Sequence, residues 1–186
     1  MAVPCPGIGN AEIPVHDRDE PGPPTLRPLR EPLLVIAPST AEVVQHAGGW
    51  LFDQVMAGRD AAVLATVHAD PTPLRILGTR AYDLETALAN LHPDPSLRDI
   101  VVQADLYAAD ARIRQIARQI LDAGPTEILL WSANWPQDHG GPANVVTYRM
   151  STAALAFKTH ALAAATSPDP VNRAEVFWKA NRESAI

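Results

Sequence analysis

The loop between residues 132 and 143 contains the side chains best suited to chemistry in this sequence. It carries Trp135, Asp138 and His139 beside two consecutive glycines. A carboxylate that orients an imidazole is the usual setting of a general base. Asp138 and His139 are sequence neighbours whose side chains tend to point apart, so each would pair with a group from elsewhere. The loop therefore indicates a ligand or partner contact, or a plain solvated hairpin loop, more readily than a complete catalytic set.

Polar residues also follow the first two apolar segments of the chain. Ser39 and Thr40 come after the first segment, where their hydroxyls could hold a phosphate or carboxylate at a helix N-terminus. Glu42 lies three residues after Ser39, a capping-box spacing that favours a simple helix cap instead. His68 ends the second apolar segment. Convergence of His68 or Asp105 with the 132–143 loop in one cleft would favour an enzyme.

Arg114 and Arg118 lie one helical turn apart and could contact a phosphate or an acidic partner. A solvated helix face with ordinary ion pairs is the alternative. The net charge of −6 makes nucleic acid an unlikely partner. The histidines show no metal-ligand spacing, and the single cysteine, Cys5, excludes a disulfide framework within the chain. No Walker loop or dinucleotide fingerprint is present, so we expect no metal and no cofactor.

The elements that would position these residues follow from the apolar pattern. Continuous apolar runs predict buried strands, and apolar residues at 3.6-residue spacing predict helices. The predicted strands cover residues 33–37, 61–67, 74–77, 99–104, 127–131 and 145–150. The predicted helices cover residues 39–57, 83–91, 105–123, 152–165 and 171–181. Short connections make the second and third strands, and the fifth and sixth, antiparallel neighbours. Asp105 is the expected cap of the third helix.

This alternation predicts an α/β fold. We expect a mixed, partly parallel sheet of about six strands covered by helices, with a Pro-rich N-terminal extension. Residues 1–32 hold eight of the 18 prolines and are expected to form an extended or disordered tail. Residues 33–186 are expected to form a single α/β domain.

The absence of a complete catalytic, metal or nucleotide motif favours a non-enzymatic domain that binds another protein or a regulatory ligand. Self-association is a further expectation, and a small anionic ligand is a possible partner. The alternative is a small enzyme or small-molecule-binding domain, with its site at the strand ends and the 132–143 loop. The start of the chain does not resemble a secretory signal, and no apolar run is long enough for a membrane span. We therefore expect a cytoplasmic protein with no membrane contact.

Overall fold

A computed structural model describes residues 32–66, 70–90, 97, 99–123, 127–132, 145–165 and 171–180. In this part of the chain the strands are β1 (Leu33–Ile36), β2 (Ala61–Ala65), β3 (Arg80–Asp83), β4 (Asp99–Gln103), β5 (Glu127–Trp131), β6 (Val145–Arg149) and β7 (Ala174–Ala180). The helices are α1 (Thr40–Met56), α2 (Thr72–Ile76), α3 (Leu84–Asn90), α4 (Ala104–Ala109), α5 (Ala111–Ala123) and α6 (Thr152–Ala164). Residues 1–31 lie outside the described ranges, so the extension expected there stays a prediction.

All seven strands form one sheet in the order β3-β2-β1-β4-β5-β7-β6. Strands β1 to β5 run parallel to one another. β7 runs antiparallel to both β5 and β6. The predicted α/β class and mixed, partly parallel sheet are therefore confirmed. The sheet has one strand more than the approximate number expected from the sequence.

Helices cover both faces of the sheet because the parallel strands are apolar on both sides. In β1, Leu33 and Val35 join the core on the side of α1, α2 and α6. Leu34 and Ile36 join the core on the side of α3, α4 and α5. A continuous apolar strand is the pattern typical of a parallel sheet buried between two helical layers.

The predicted strand at residues 74–77 is wrong, because these residues belong to helix α2. Pro71 and Pro73 supply backbone angles suited to a first helical turn, where a missing N–H costs nothing. An Asp70 carboxylate oxygen accepts a hydrogen bond from the Thr72 N–H at 2.9 Å. The helix makes β3 a parallel neighbour of β2, so the expected antiparallel pair is also absent.

The predicted C-terminal helix at residues 171–181 is also wrong, because Ala174–Ala180 forms strand β7. Buried Glu175 and Phe177 alternate with exposed Val176, as they do on a strand with one covered face. β7 inserts between β5 and β6. The strand expected at 145–150 therefore exists, but it pairs with β7 and does not lie beside β5.

No helix in the described ranges is both long enough and apolar enough to span a membrane.

Candidate functional site

The first five strands end at the same edge of the sheet, which we call the carboxyl edge. After β1 the chain builds β2 and β3 on one side and then returns to place β4 on the other side of β1. In doubly wound α/β sheets, ligands bind outside the carboxyl ends of the strands at this reversal. The topology therefore places the candidate site between the ends of β1 and β4.

Two carboxylates lie at this reversal, Glu42 in the first turn of α1 and Asp105 in the first turn of α4. Partial burial raises the pKa of Glu42, and the nearby charge of Asp105 raises it further. The N-terminal end of a helix normally favours the charged form of a carboxylate. Burial and repulsion outweigh that preference here, so Glu42 keeps its proton to a higher pH than an ordinary glutamate.

Ser39 begins α1 and fixes the start of the turn that carries Glu42. Its Oγ accepts a hydrogen bond from the Glu42 N–H at 3.3 Å, as the capping spacing predicted. In the described part of the chain, the reciprocal bond from the Ser39 N–H to the Glu42 carboxylate is not formed. The carboxylate is thus positioned through its backbone while its oxygens stay available.

Gln103 is the last residue of β4 and links that strand to Asp105. Its Oε1 accepts a hydrogen bond from the Leu106 N–H at 2.6 Å. Its Nε2 donates to Asp105 Oδ2 at 2.8 Å. Gln103 is therefore the cap of α4, and the prediction that Asp105 caps this helix is wrong. A carboxamide nitrogen carries two hydrogens, and only one of these has an acceptor among the described residues.

Three buried side-chain atoms of the described residues have no hydrogen-bond partner: Gln45 Oε1, Tyr107 Oη and Trp131 Nε1. Gln45 follows Glu42 by one turn, Tyr107 follows Asp105 by two residues, and Trp131 is the last residue of β5. Buried polar groups are normally satisfied, so each exception calls for a reason. Trp131 lies in the core on the α1 side of the sheet and Tyr107 in the core on the α5 side, so the three atoms do not form one group.

A buried ion pair holds α1, the helix that carries Glu42. Lys158 Nζ of α6 lies 2.6 Å from Glu175 Oε1 of β7, and both side chains are almost fully buried. The Glu175 carboxylate also accepts hydrogen bonds from the Gly49 N–H at 2.8 Å and the Trp50 N–H at 2.7 Å. Lys158 Nζ also donates to Gln45 O at 2.7 Å. We call Lys158 and Glu175 the anchor pair, because they bond to the backbone of α1 near its middle.

The adjacent glycines of α1 make room for neighbouring side chains. A Cβ on Gly49 would lie 2.6 Å from Met150 Sδ, which is closer than real contacts of this kind. At Gly48 the nearest atom, Leu77 Cδ1, would lie 3.4 Å away. Gly49 is therefore required, because the side chain of Met150 packs where a Cβ would lie.

Arg114 and Arg118, predicted as a contact for phosphate, lie on α5 and interact with Tyr107 of α4, and the phosphate contact stays a prediction. Arg114 of α5 donates hydrogen bonds to the carbonyl oxygens of Tyr107 and Ala108, near the end of α4. Arg118 lies on the same exposed helix, and its charge acts on Tyr107. These contacts give Arg114 a structural role in satisfying the last carbonyls of α4.

The other predicted site residues are placed as follows. Thr40 is buried in the first turn of α1, directly after the capping Ser39. His68, Trp135, Asp138 and His139 lie outside the described residues, so their proposed contacts stay predictions. The described residues contain no group of three or more His, Cys, Asp or Glu side chains able to hold a metal ion.

Sequence reasoning missed part of this site. The sequence indicated Glu42 only as half of a capping box, Gln103 only as part of the strand at residues 99–104, and Trp131 as a strand end that could flank a groove. The available signal was a polar or indole side chain that ends an apolar run, at the edge where α/β sheets bind ligands.

Comparison with known proteins finds similar folds among solved structures. No protein-family model and no curated relative matches the chain. Among solved structures, 4-carboxy-2-hydroxymuconate hydratase from Pseudomonas putida has a TM-score of 0.53 at 11% identity, covering 81% of this chain and 96% of its own. A zinc-inhibited form of teicoplanin deacetylase has a TM-score of 0.52 at 11% identity, covering 81% of this chain and 99% of its own. At these identities the likeness shows a shared fold.

These neighbours correct the main functional prediction from the sequence. A non-enzymatic domain for protein or regulatory-ligand binding was expected, because no complete catalytic motif is visible. The structures that share the fold are a hydratase and deacetylases, which include a pseudoaglycone deacetylase with a TM-score of 0.51 at 12% identity, covering 81% of this chain and 97% of its own. The findings therefore favour the alternative, a small enzyme or small-molecule-binding domain. The earlier inference failed because linear motifs do not show residues that only the sheet brings together.

Proposed function

We propose that the protein is an enzyme acting on a small molecule at the carboxyl edge, with Glu42 and Asp105 as its general acid and base. The observation that carries this proposal is the raised pKa of Glu42 beside the charge of Asp105 at the chain reversal. Burial and the neighbouring carboxylate favour the protonated form of Glu42, which suits the general acid of an acid–base pair. In these roles Glu42 would donate a proton and Asp105 would accept one.

The reaction class that fits this pair is the addition of water to a carbonyl group or to a carbon–carbon double bond. In either case a base takes a proton from the attacking water while an acid protonates the atom that gains electrons. The names of the fold neighbours include both types, deacetylase and hydratase. This support comes from the fold alone, and the residues that carry the proposal are those of this chain.

We further propose that the enzyme works in the cytoplasm as the single domain expected at residues 33–186. The low cysteine content supports this location, because disulfides are characteristic of exported proteins. The self-association and the small anionic ligand expected from the sequence stay predictions.

A turnover assay on the full chain tests the proposed function. The probes are N-acetylglucosamine, p-nitrophenyl acetate and fumarate, which report amide hydrolysis, ester hydrolysis and hydration. We expect turnover of at least one probe and a loss of about 10²- to 10⁴-fold in Glu42→Gln. Glu85→Gln is the matched control, because exposed Glu85 pairs with Arg112 on the surface. An unchanged rate in Glu42→Gln, or no turnover of any probe above the buffer rate, would contradict the proposal.

A further inference from the structure

Gln103 and Trp131 are side by side at the carboxyl edge. They are the last residues of β4 and β5, and the register of these parallel strands pairs them directly. Paired residues on neighbouring strands project to the same face of the sheet, with their strands about 4.8 Å apart. The face is that of α1, since Trp131 joins the same core cluster as Val101, two residues before Gln103. The two side chains are thus adjacent on the side where Glu42 lies.

Each of these side chains holds an N–H group without an acceptor in the described part of the chain. Trp131 is 1% exposed, and its Nε1 has no hydrogen-bond partner. Gln103 is 7% exposed, and one of its two amide hydrogens is used by Asp105. A buried donor left without an acceptor destabilises the folded state. Two such donors on paired residues therefore call for an acceptor.

We infer that Trp131 Nε1–H and the second Nε2–H of Gln103 form a donor pair that binds the carbonyl oxygen of an acyl substrate, an amide, ester or carboxylic acid. This inference rests on the proposed function and names its substrate class. Paired N–H donors stabilise an oxygen that gains negative charge during the reaction. Phosphate recognition typically uses Arg or Lys, whereas Gln103 is bonded to the carboxylate of Asp105, so a neutral carbonyl oxygen fits this donor pair better than phosphate.

Binding of a small amide to the ¹⁵N-labelled full chain tests the inference. The four tryptophans each give one indole N–H signal, and the signal lost in Trp131→Phe belongs to Trp131. We expect acetamide to shift this signal in a saturable way and to leave the other three in place. Ethylammonium chloride is the control, because it offers no acceptor oxygen. No shift of the Trp131 signal, or an equal drift of all four signals, would overturn the inference.

Two variants separate loss of the donor from loss of packing. Trp50 is also buried, and it packs against Phe177 with ring centroids 5.7 Å apart. We expect Trp50→Phe to retain the acetamide response of the Trp131 indole. Trp131→Phe is expected to lose turnover of the acyl probes by about 10-fold or more while remaining folded. Equal turnover in the wild type and Trp131→Phe would count against the donor pair.

Glu42→Gln distinguishes failure of this inference from failure of the proposed function. If both are correct, this variant loses turnover while acetamide still shifts the Trp131 signal. A lost turnover without any acetamide shift in the wild type would refute the donor pair alone. A clear acetamide shift together with full turnover in Glu42→Gln would refute the acid–base roles alone.

Discussion

Glu42 in α1 and Glu175 in β7 are glutamates with different hydrogen-bond surroundings. The Glu175 carboxylate of the anchor pair receives hydrogen bonds from Lys158 and from the N–H groups of Gly49 and Trp50. No hydrogen bond to the Glu42 carboxylate is formed among the described residues, and a second carboxylate repels it. The first region is satisfied and buried, as a structural site must be. The Glu42 carboxylate is partly exposed and has no hydrogen-bond partner among the described residues, as expected of a group that can contact a ligand.

The difference extends beyond these two residues. Gln45 in α1 and Trp131 at the end of β5 also have buried atoms without a hydrogen-bond partner among the described residues. Active sites commonly keep groups that reduce stability, and the rest of the fold supplies the compensation. We therefore expect substitutions in the two regions to change the free energy of unfolding by different amounts and in opposite directions.

The largest expected effect is at the anchor pair. Lys158→Met leaves the Glu175 carboxylate buried without its cation, and removing one partner of a buried ion pair costs about 3–5 kcal/mol. Denaturant unfolding of the purified protein measures this loss. Glu175→Gln is the companion variant: it leaves Lys158 buried without its anion and turns an NH2 group toward an N–H donor, so we expect a loss of similar size. A loss below about 1 kcal/mol in Lys158→Met would show that the pair does not hold α1.

The adjacent glycines give a matched test of packing around the anchor pair. Gly49→Ala would force a Cβ against Met150, so we expect a loss of about 1–3 kcal/mol. Gly48→Ala has ordinary contacts and replaces a helix-interior glycine, so it should be neutral or gain up to about 1 kcal/mol. Both values come from the same unfolding experiment. Equal effects at the two positions would contradict the described packing.

A smaller effect is expected at the cap of α1. Ser39→Ala removes the acceptor for the Glu42 N–H and should cost about 1 kcal/mol. Ser39→Thr keeps a hydroxyl and should lose less. Thermal unfolding of both variants measures the difference. If Ser39→Ala were as stable as the wild type, the first turn of α1 would not depend on this hydrogen bond.

Local sequence signals predicted the parts of the fold that depend on local physics. Continuous apolar runs gave β1, β2, β4 and β5, and the Ser39 cap began α1 where expected. The prediction failed at residues 74–77, where proline geometry outweighed a short apolar run. It failed at 171–181, where pairing with β5 and β6 decided the conformation. These pairings join residues 25 to 52 positions apart in the sequence, which local propensity does not report.

The site was less predictable than the fold for the same reason. The Ser39–Glu42 spacing was visible, and Asp105 was named as a residue that could join an enzyme cleft. The approach of Asp105 to Glu42 depends on β4 lying beside β1. The pairing of Gln103 with Trp131 depends on the register of β4 with β5. Strand order and register are properties of the whole sheet, so no single segment reveals them.

The pH dependence of stability carries a definite sign at Glu42. Its pKa in the folded protein is raised above the usual value of 4.5, so the folded state binds its proton more tightly than the unfolded state does. The stability that this proton contributes is then lost as the pH rises from about the pKa of Glu42 in the unfolded chain through its raised pKa in the folded protein. At Glu85 the pKa is lowered, because the Arg112 guanidinium bonds to its carboxylate. The stability that charged Glu85 contributes is present above its pKa in the unfolded chain and is lost as the pH falls through its lowered pKa in the folded protein.

The most direct measurement is therefore the denaturant stability of Glu42→Gln and Glu85→Gln, compared with the wild type from pH 4 to pH 8. If Glu42 serves function at a cost in stability, Glu42→Gln gains stability relative to the wild type as the pH rises, and Glu85→Gln does not. A loss of stability in Glu42→Gln at pH 7 would show that its carboxylate is a satisfied structural group. That result would contradict the distinction between the two regions.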